Sequence, residues 1–380
     1  MKKQEGNQIL RMDKKHQKHT NLARKHNDTN APNEVVVLGA KCGIIADIVT
    51  QVSNKLSNYN LAYFDASHAK DVEPNHLSEY TFHHEGNLQL NTSSYINKYE
   101  QRLQFYNYDY VFVNGNHYPG SKQILILDPE KEASIKKRMD QINSIQFIIK
   151  LDANTPYFDC LKEKFPNIEN ITSYSINEID KISNHIHNLI KETIAPVKGL
   201  VLTGGKSTRM GTDKAELNYF GKPQKKHVKE LLEESSLKTF YSVAQNNNNS
   251  EEIHDTFLNL GPFGGICSAL QQDPNSAWFV LATDLPFVNS ELIQLVLQKR
   301  NPSKVATAVK GKSKEFPEPL ITIYEPKAYG KLLQYLAQGY SCPRKMLINS
   351  DIEIIEVDDE LIRNVNTPEE YQQAKNHLNS

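Results

Sequence analysis

The residues of this chain that are best suited to phosphate chemistry stand between positions 200 and 214. Leu200-Val201-Leu202 is an apolar run that leads through Thr203 into Gly204-Gly205, and a polar loop with Arg209 and Lys214 follows. A strand that breaks into such a loop brings backbone N–H groups against a phosphate chain. Arg209 offers a planar donor fork for terminal phosphates, and Lys214 offers a point charge for the phosphate under attack. The spacing does not fit the Walker pattern G-x-x-x-x-G-K-[ST], and the alternative interpretation is a surface turn with scattered bases.

The whole run, G-G-x-S-x-R-M-G-x-D-K, resembles the nucleotide-binding signature of the molybdenum cofactor guanylyltransferases and their relatives among the nucleotidyltransferases. The resemblance covers roughly residues 198–375. Enzymes of this family join a nucleoside monophosphate from an NTP to a phosphorylated acceptor and release pyrophosphate. The resemblance implies that Arg209, Lys214 and, further along the chain, Asp284 are catalytic. It also implies that the nucleotide is bound by Leu202, Thr203, Gly204, Gly205 and Lys214.

An aspartate further along the chain is predicted to select the base. Asp255 stands six residues before Gly261, which opens a Gly-Pro-x-x-Gly turn, and the family has the same spacing. By the resemblance, Asp255 accepts hydrogen bonds from the amide and amino groups of guanine, and Gly261 belongs to the nucleotide site. A buried acceptor that the wrong base leaves unpaired gives strong discrimination. Leu258 stands where a proline is common in the family, and the alternative is that Asp255 caps a helix or a loop.

A second aspartate is predicted to bind metal. The apolar run 278–282 predicts a strand buried on both faces of a parallel sheet, and Asp284 follows its end. A carboxylate at the carboxyl end of a central strand lies at the crevice where such folds bind ligands. Mg²⁺ takes oxygen ligands from one or two carboxylates and from substrate phosphates. The resemblance implies that Asp284, Asn366 and Mg²⁺ form the metal site, whereas the alternative is that Asp284 caps the next helix.

Three residues are predicted to bind the acceptor. Glu318 stands in a Glu-Pro-Leu sequence that matches the family, and Asn364 stands in the closing run N-V-N-T-P-E-E. The resemblance puts both on the acceptor side, although a packing role is the alternative for Glu318. Arg344 belongs to a basic pair that begins a helix after Pro343, where an anionic phosphate is readily bound. The closing run also predicts that Thr367 caps the last helix.

The first half of the chain predicts a separate open α/β sheet. A charged helix is expected from about 129 to 143. Its apolar strands are expected at 35–38, 61–64, 110–113, 124–127 and 147–151. The layout resembles the P-loop GTP-binding adapters of the same cofactor pathway, but the loop with Gly39 and Gly43 lacks the Gly-Lys-Ser/Thr ending. We therefore interpret it as a degenerate nucleotide-binding fold. The strand ends carry polar residues that either line a ligand crevice or cap turns, namely Asp65, Asn114, Asn116 and His117.

Composition limits the classes of function. The formal net charge of −1 at pH 7 gives no general attraction to nucleic acid or to an anionic membrane. The four cysteines stand far apart without a C-x-x-C pair, which argues against a metal cluster or a disulfide framework and suits a reducing cytoplasm. No apolar run approaches the ~20 residues that cross a bilayer, and the polar N-terminus does not have the apolar centre of a secretory signal.

The sequence thus predicts two three-layer α/β domains. They are a degenerate P-loop-like open sheet over residues 34–195 and a Rossmann-like nucleotidyltransferase domain over residues 196–380, preceded by a polar arm over residues 1–33. By the resemblance, the chain transfers GMP from GTP to the phosphate of molybdopterin or molybdenum cofactor, by in-line displacement with Mg²⁺. The alternatives are a transferase that uses CTP or a sugar or polyol phosphate, a non-catalytic adapter that delivers cofactor to molybdoenzymes, and a GTP hydrolase working from residues 34–150.

Overall fold

The computed structural model describes residues 22–67, 77–84, 87–92, 97–203, 213–244 and 249–378. The elements of the first half are β1 (Glu34–Leu38), α1 (Cys42–Lys55), β2 (Leu61–Phe64), β3 (Glu79–Phe82), β4 (Leu88–Asn91), α2 (Lys98–Phe105), β5 (Tyr110–Asn114), β6 (Gln123–Leu127), α3 (Glu132–Lys137), β7 (Ile145–Lys150), α4 (Asp159–Lys164), β8 (Ser173–Ser175) and α5 (Ile179–Glu192). The elements of the second half are β9 (Val197–Leu202), α6 (Gln224–Glu234), β10 (Thr239–Val243), β11 (Glu252–His254), α7 (Pro262–Gln272), β12 (Ala277–Ala282), α8 (Ser290–Gln298), β13 (Ala306–Gly311), β14 (Glu318–Tyr324), α9 (Ala328–Ala337), α10 (Pro343–Ile348), β15 (Glu353–Val357) and α11 (Pro368–Leu378).

The first sheet is parallel throughout, with the strand order β2-β5-β1-β6-β7-β8. Its apolar strands are buried on both faces, as expected where helices cover a parallel sheet. One face packs against α1 and α5, and the other packs against α3 and α4. The predicted open α/β sheet is therefore confirmed, with every expected strand in place.

Two local expectations in this half were wrong. The segment predicted as one helix over 129–143 contains only the six-residue α3, with a 3₁₀ turn on each side. Among the residues of these elements only Ile135 is buried, and a longer helix with so little apolar contact has little to stabilise it. The sequence reading also missed the antiparallel hairpin of β3 and β4, whose side chains are exposed and therefore leave no buried apolar pattern.

The second sheet has seven strands in the order β11-β10-β9-β12-β14-β13-β15. The prediction that β12 lies in a parallel sheet was wrong on one side, because β12 pairs in parallel with β9 but antiparallel with β14. Strand β14 is also antiparallel to β13, to which it is joined by only six residues, and so short a connection forces antiparallel pairing. The sheet remains a central layer: α7, α9 and α10 pack on one face, and α6 and α8 pack on the other.

The two sheets are joined by polar contacts as well as by the chain. Lys327 Nζ lies 2.8 Å from Asp109 Oδ1, with both side chains almost buried, and the Asn60 side chain donates to the Ser303 carbonyl at 2.9 Å. Arg300 donates to the Ala195 carbonyl at 2.8 Å. None of the helices in the described ranges is long and apolar enough to cross a membrane.

Candidate functional site

Three polar side chains that are far apart in sequence meet at the carboxyl ends of β9 and β12. Lys214 Nζ donates to Asn366 Oδ1 at 2.7 Å and lies 3.5 Å from Asp284 Oδ2. The Lys214 and Asp284 side chains are each about one-fifth exposed, at 21% and 20%, so the group is open to a ligand but shielded from bulk water. The structure thus brings together one predicted phosphate-binding residue and both predicted metal ligands.

Backbone contacts hold these side chains in place. Asp284 stands two residues after β12, and its carbonyl accepts a hydrogen bond from Val365 N at 2.9 Å, which fixes the segment before α11 against the end of the strand. The Glu370 N–H donates to Thr367 Oγ1 at 3.2 Å, and Glu370 Oε2 accepts in return from Thr367 N at 3.3 Å, as well as from Asn366 N at 2.6 Å. This reciprocal arrangement is a capping box, and it confirms the predicted helix start at Thr367. Lys214 begins a 3₁₀ turn that is capped by Asp213.

The oxygen atoms around Asp284 fit a hard cation. Asp284 Oδ1 is buried and has no hydrogen-bond partner among the described residues, and a buried acceptor without a partner is costly. The neighbouring oxygen atom, Asn366 Oδ1, belongs to an amide and accepts a hydrogen bond from Lys214 in this structure. No group of three or more His, Cys, Asp or Glu side chains in the described ranges is arranged to hold a metal. One carboxylate oxygen and one amide oxygen are ligands that a hard divalent cation takes together with waters and substrate phosphate oxygens.

The predicted base-selecting residue, Asp255, directly follows β11 at the same edge of the sheet. Asp255 Oδ1 accepts a hydrogen bond from Ser242 Oγ at 2.9 Å, and Ser242 belongs to β10. Burial raises the pKa of the Asp255 carboxyl, and the Ser242 hydrogen bond only partly opposes that effect. The backbone here must approach closely: a Cβ on Gly265 would stand 2.5 Å from Ser242 Oγ. Gly261 has φ +56°, a conformation that favours glycine.

The neighbouring strand β9 ends at Leu202, directly before the predicted phosphate-binding residues. Thr203 follows β9, and its hydroxyl donates to the Ser242 carbonyl at 2.6 Å, so Thr203 and Asp255 flank the same residue of β10. The Leu202 side chain is buried in the core, which leaves only its backbone available to a nucleotide. Gly204, Gly205 and Arg209 lie outside the described residues, and their predicted roles stay predictions.

Two of the predicted acceptor residues contact each other. Arg344 Nη2 lies 3.1 Å from Glu318 Oε2, with Glu318 buried and Arg344 about half exposed. Burial raises the pKa of the Glu318 carboxyl, Arg344 opposes the shift, and the charge of Asp284 adds to it. Glu318 is therefore close enough to Asp284 to sense its charge. Asn364 is half-buried and directly precedes Val365, the residue bonded to the Asp284 backbone.

Comparison with known proteins identifies the family. Residues 199–352 match the model of the MobA-like NTP transferase domain. A "probable molybdenum cofactor guanylyltransferase" of Flavobacterium johnsoniae is 32% identical over 131 residues, which are 33% of this chain and 67% of that protein. The chain belongs to the molybdenum cofactor guanylyltransferase family. Its second half is therefore a nucleotidyltransferase domain, as the sequence predicted.

Two further relatives share different fractions of their own length with this chain. A "molybdenum cofactor biosynthesis bifunctional protein" of Synechocystis is 35% identical over 185 residues, and these residues are 47% of this chain but only 53% of that longer protein. Among solved structures, the molybdopterin-guanine dinucleotide biosynthesis protein A of Archaeoglobus fulgidus is 26% identical, covers 48% of this chain and 98% of its own, and has a TM-score of 0.41. The resemblance of the first half to the GTP-binding adapters stays a prediction.

One residue of the candidate site, Ser242, was not predicted from the sequence. Ser242 supports Asp255 through its hydroxyl and Thr203 through its carbonyl. The available signal was a buried hydroxyl at an otherwise apolar strand, in the run Phe240-Tyr241-Ser242-Val243. A buried hydroxyl of this kind needs a hydrogen-bond partner, but the sequence alone does not say that the partner is the carboxylate thirteen residues further on.

Proposed function

We propose that the second half of this chain transfers GMP from GTP to the terminal phosphate of molybdopterin or of molybdenum cofactor. The observation that carries the proposal is the convergence of Lys214, Asp284 and Asn366 beside the Asp255–Ser242 pair. An oxygen of the acceptor phosphate attacks the α-phosphorus and forms a new P–O bond. The bond between the α-phosphorus and the bridging oxygen breaks, and pyrophosphate leaves with the electron pair.

The polar cluster accounts for the phosphate end of this reaction. Lys214 turns from Asn366 to the α-phosphate and stabilises the charge that develops there. Arg209, with the backbone of Gly204 and Gly205, holds the leaving pyrophosphate. Asp284 and Asn366 would hold Mg²⁺, which would supply neutralisation of the phosphate charge. The unpartnered Oδ1 of Asp284 supports this choice of ligand.

The Asp255 carboxylate, which contacts Ser242 of β10, accounts for the choice of base. Asp255, held by Ser242, accepts the two N–H donors on one edge of guanine, while the backbone at Leu202, Thr203 and Gly261 contacts the rest of the nucleoside. A pyrimidine or adenine does not present the same pair of donors. The buried carboxylate then loses its partners, which is the kind of loss that gives discrimination of 10⁴ or more in favourable cases, so roughly 10²-fold is a conservative expectation here.

Three further residues, Arg344, Glu318 and Asn364, account for binding of the acceptor. Arg344 receives the phosphate of molybdopterin while Glu318 fixes the guanidinium through their 3.1 Å contact, and Asn364 adds a polar group on the same side. A free acceptor with two or more negative charges suits this arrangement, because Arg344 is about half exposed and retains donors that Glu318 does not use.

The test is a pyrophosphate-release assay with the purified full chain, Mg²⁺ and molybdopterin, in which GTP, CTP and ATP are compared. We expect pyrophosphate and a guanine dinucleotide product, seen by mass spectrometry, with GTP favoured over CTP by about 100-fold. Faster turnover with CTP, or with a sugar phosphate in place of molybdopterin, would assign a different transferase. Retention of molybdopterin without any turnover would show a delivery adapter instead.

The domain division and the location are part of the proposal. We place the boundary at residue 196, so that residues 34–195 form one unit and residues 196–380 the other, with the arm at 1–33. The end of α5 at Glu192 and the start of β9 at Val197 support that choice. A cytoplasmic location agrees with the four separate cysteines, none of which is paired.

A further inference from the structure

A second polar cluster lies in the first sheet, which the proposed transfer reaction does not use. It is formed at the carboxyl ends of three adjacent parallel strands, β2, β5 and β1. Asp65 follows β2, His117 follows β5, and Cys42 is the first residue of α1 after β1. The carboxyl edge of an open parallel sheet is where such folds bind ligands. The sequence reading named Asp65 and His117 as crevice residues but did not include Cys42.

The side chains of this cluster are within interaction distance of one another. Cys42 Sγ lies 3.3 Å from His117 Nε2, and the same ring nitrogen lies 3.7 Å from Asp65 Oδ1. The Asn116 side chain donates to Cys42 Sγ at 3.6 Å and to the Ala40 carbonyl at 2.8 Å. A thiol, an imidazole and a carboxylate therefore form one connected group, and such a group in the described ranges is not arranged as a metal site.

The surroundings favour the ionised thiol. Burial alone would raise the pKa of the Cys42 thiol, but hydrogen bonds from Asn116, His117 and Asn114 outweigh it, and the pKa is lowered. Burial likewise opposes ionisation of Asp65, but hydrogen bonds from Asn114, the Ala66 backbone and Tyr63 lower the pKa of that carboxyl.

One more polar group lies at this site, the Asn114 amide. The Asn114 side chain is fully buried, and its Nδ2 makes no hydrogen bond of ordinary geometry within the described ranges, although it is near enough to lower the pKa of both Cys42 and Asp65. A buried N–H donor next to a nucleophile is suited to an oxygen that becomes negative during reaction. Gly43, the next residue of α1, is exposed, and a Cβ there would contact nothing within 4 Å, so the first turn of α1 is open to solvent.

We propose that Cys42 is the nucleophile of a second reactive site, which accepts an acyl group from a thioester or an activated ester. The Sγ proton passes to His117 Nε2, and the sulfur forms a bond to the carbonyl carbon. The carbonyl oxygen, negative in the intermediate, is stabilised by the Asn114 amide. The carbon–sulfur or carbon–oxygen bond of the donor then breaks, and the leaving group takes the proton from His117. Asp65 is a positioning residue that holds the imidazolium.

The test uses p-nitrophenyl acetate with the full chain at pH 7. We expect a rapid burst of about one equivalent of p-nitrophenolate per chain, as for an acyl-enzyme, with the acetyl group located on the Cys42 peptide by mass spectrometry. Cys342 is the matched control within the same molecule, because it is exposed whereas Cys42 is half-buried. By exposure alone Cys342 would react first. We expect Cys42 to react at least about fivefold faster, and Cys342→Ser to leave the burst unchanged.

Variants distinguish a Cys42 thiol that is activated by His117 from one that is only accessible to the reagent. His117→Gln should slow the burst at pH 7 at least about tenfold, with the rate returning toward wild type at alkaline pH, where the thiol ionises unaided. Asp65→Asn should have a smaller effect in the same direction. The titratable groups that act on Cys42 or Asp65 are His117, Asp65 and the Tyr63 hydroxyl. Tyr63→Phe should leave the slowing of the burst by His117→Gln at pH 7 in place. The Tm of each variant checks folding.

Three results would overturn the proposal. The first is acetylation of Cys342 or Cys160 at a rate equal to or above that of Cys42, which peptide mapping of the wild-type chain decides even where a variant does not fold. The second is a burst that His117→Gln leaves unchanged at pH 7. A Cys42 thiol that reacts quickly with iodoacetamide but never takes the acetyl group also contradicts acyl transfer.

Discussion

Replacement of Asp284 by asparagine tests the proposed phosphate site most directly. The Asp284→Asn variant keeps the volume of the side chain and the bond from Val365 N to the Asp284 carbonyl, but it removes one negative charge. Lys214 Nζ lies 3.5 Å from that charge, and two unit charges at about 4 Å interact by roughly 4 kcal/mol at an effective dielectric constant of about 20. Desolvation offsets part of this interaction, because both side chains are about four-fifths buried.

The effect on turnover should be close to that of removing one main electrostatic group. Losses of this kind cost about 2.7–4 kcal/mol in the transition state, which is a fall of roughly 10² to 10³ in kcat. The Mg²⁺ concentration that gives half-maximal rate should also rise, since a neutral amide binds the ion more weakly. The assay is pyrophosphate release from GTP and molybdopterin across a series of Mg²⁺ concentrations.

A matched control carries the same substitution at the surface. Asp351 pairs with Lys304 at 2.6 Å, but its side chain is 66% exposed, so Asp351→Asn should change kcat by less than about twofold. The Tm of Asp284→Asn should stay near wild type, because its backbone bond is retained. Turnover within tenfold of wild type, together with an unchanged Mg²⁺ dependence, would refute the assignment of Asp284.

Three further predictions follow from particular contacts. Asp255→Asn should lower the preference for GTP over ATP by at least about 100-fold. Burial raises the pKa of Asp255 and only the ionised carboxylate accepts both donors, so GTP binding by the wild-type chain should weaken as pH falls through that raised pKa. A KM for GTP that does not change on acidification would contradict the role. Arg300 forms a two-bond pair with the buried Glu325 at 2.7 and 2.8 Å, so Arg300→Met should cost about 3–5 kcal/mol in denaturant unfolding, and the double variant with Glu325→Leu should recover most of it. Gly264→Ala would put a Cβ 2.3 Å from the Phe257 carbonyl oxygen and should destabilise the chain by about 1–3 kcal/mol, whereas a Tm equal to wild type would show that the loop adjusts freely.

The strands of the second half, and the polar residues at their ends, were largely predicted from the sequence. Continuous apolar runs such as 278–282, each followed by a polar residue, indicated buried strands with functional groups at their ends. The closing run specified its own helix start, because the side chains of Thr367 and Glu370 satisfy backbone groups only three or four residues away. Local patterns of this kind determine a helix start without any contact to distant residues.

The antiparallel insertion of β14 and the Cys42 cluster were not readable in this way. Pairing direction depends on which strand lies beside which, and the order β9-β12-β14-β13 arises from long-range packing that no short run of residues records. Cys42 and His117 are 75 positions apart, and each alone is an ordinary residue in a loop.

The sequence by itself determined the family, the strand ends and the identity of the residues that carry charge there. Only the tertiary structure decided which of those residues meet. Lys214 and Asn366 are 152 positions apart, and they touch because strands of one sheet end at a common edge while Val365 bonds back to Asp284. Side-chain types are a property of the chain, whereas a distance of 2.7 Å between two of them requires the packed sheet that lies beneath.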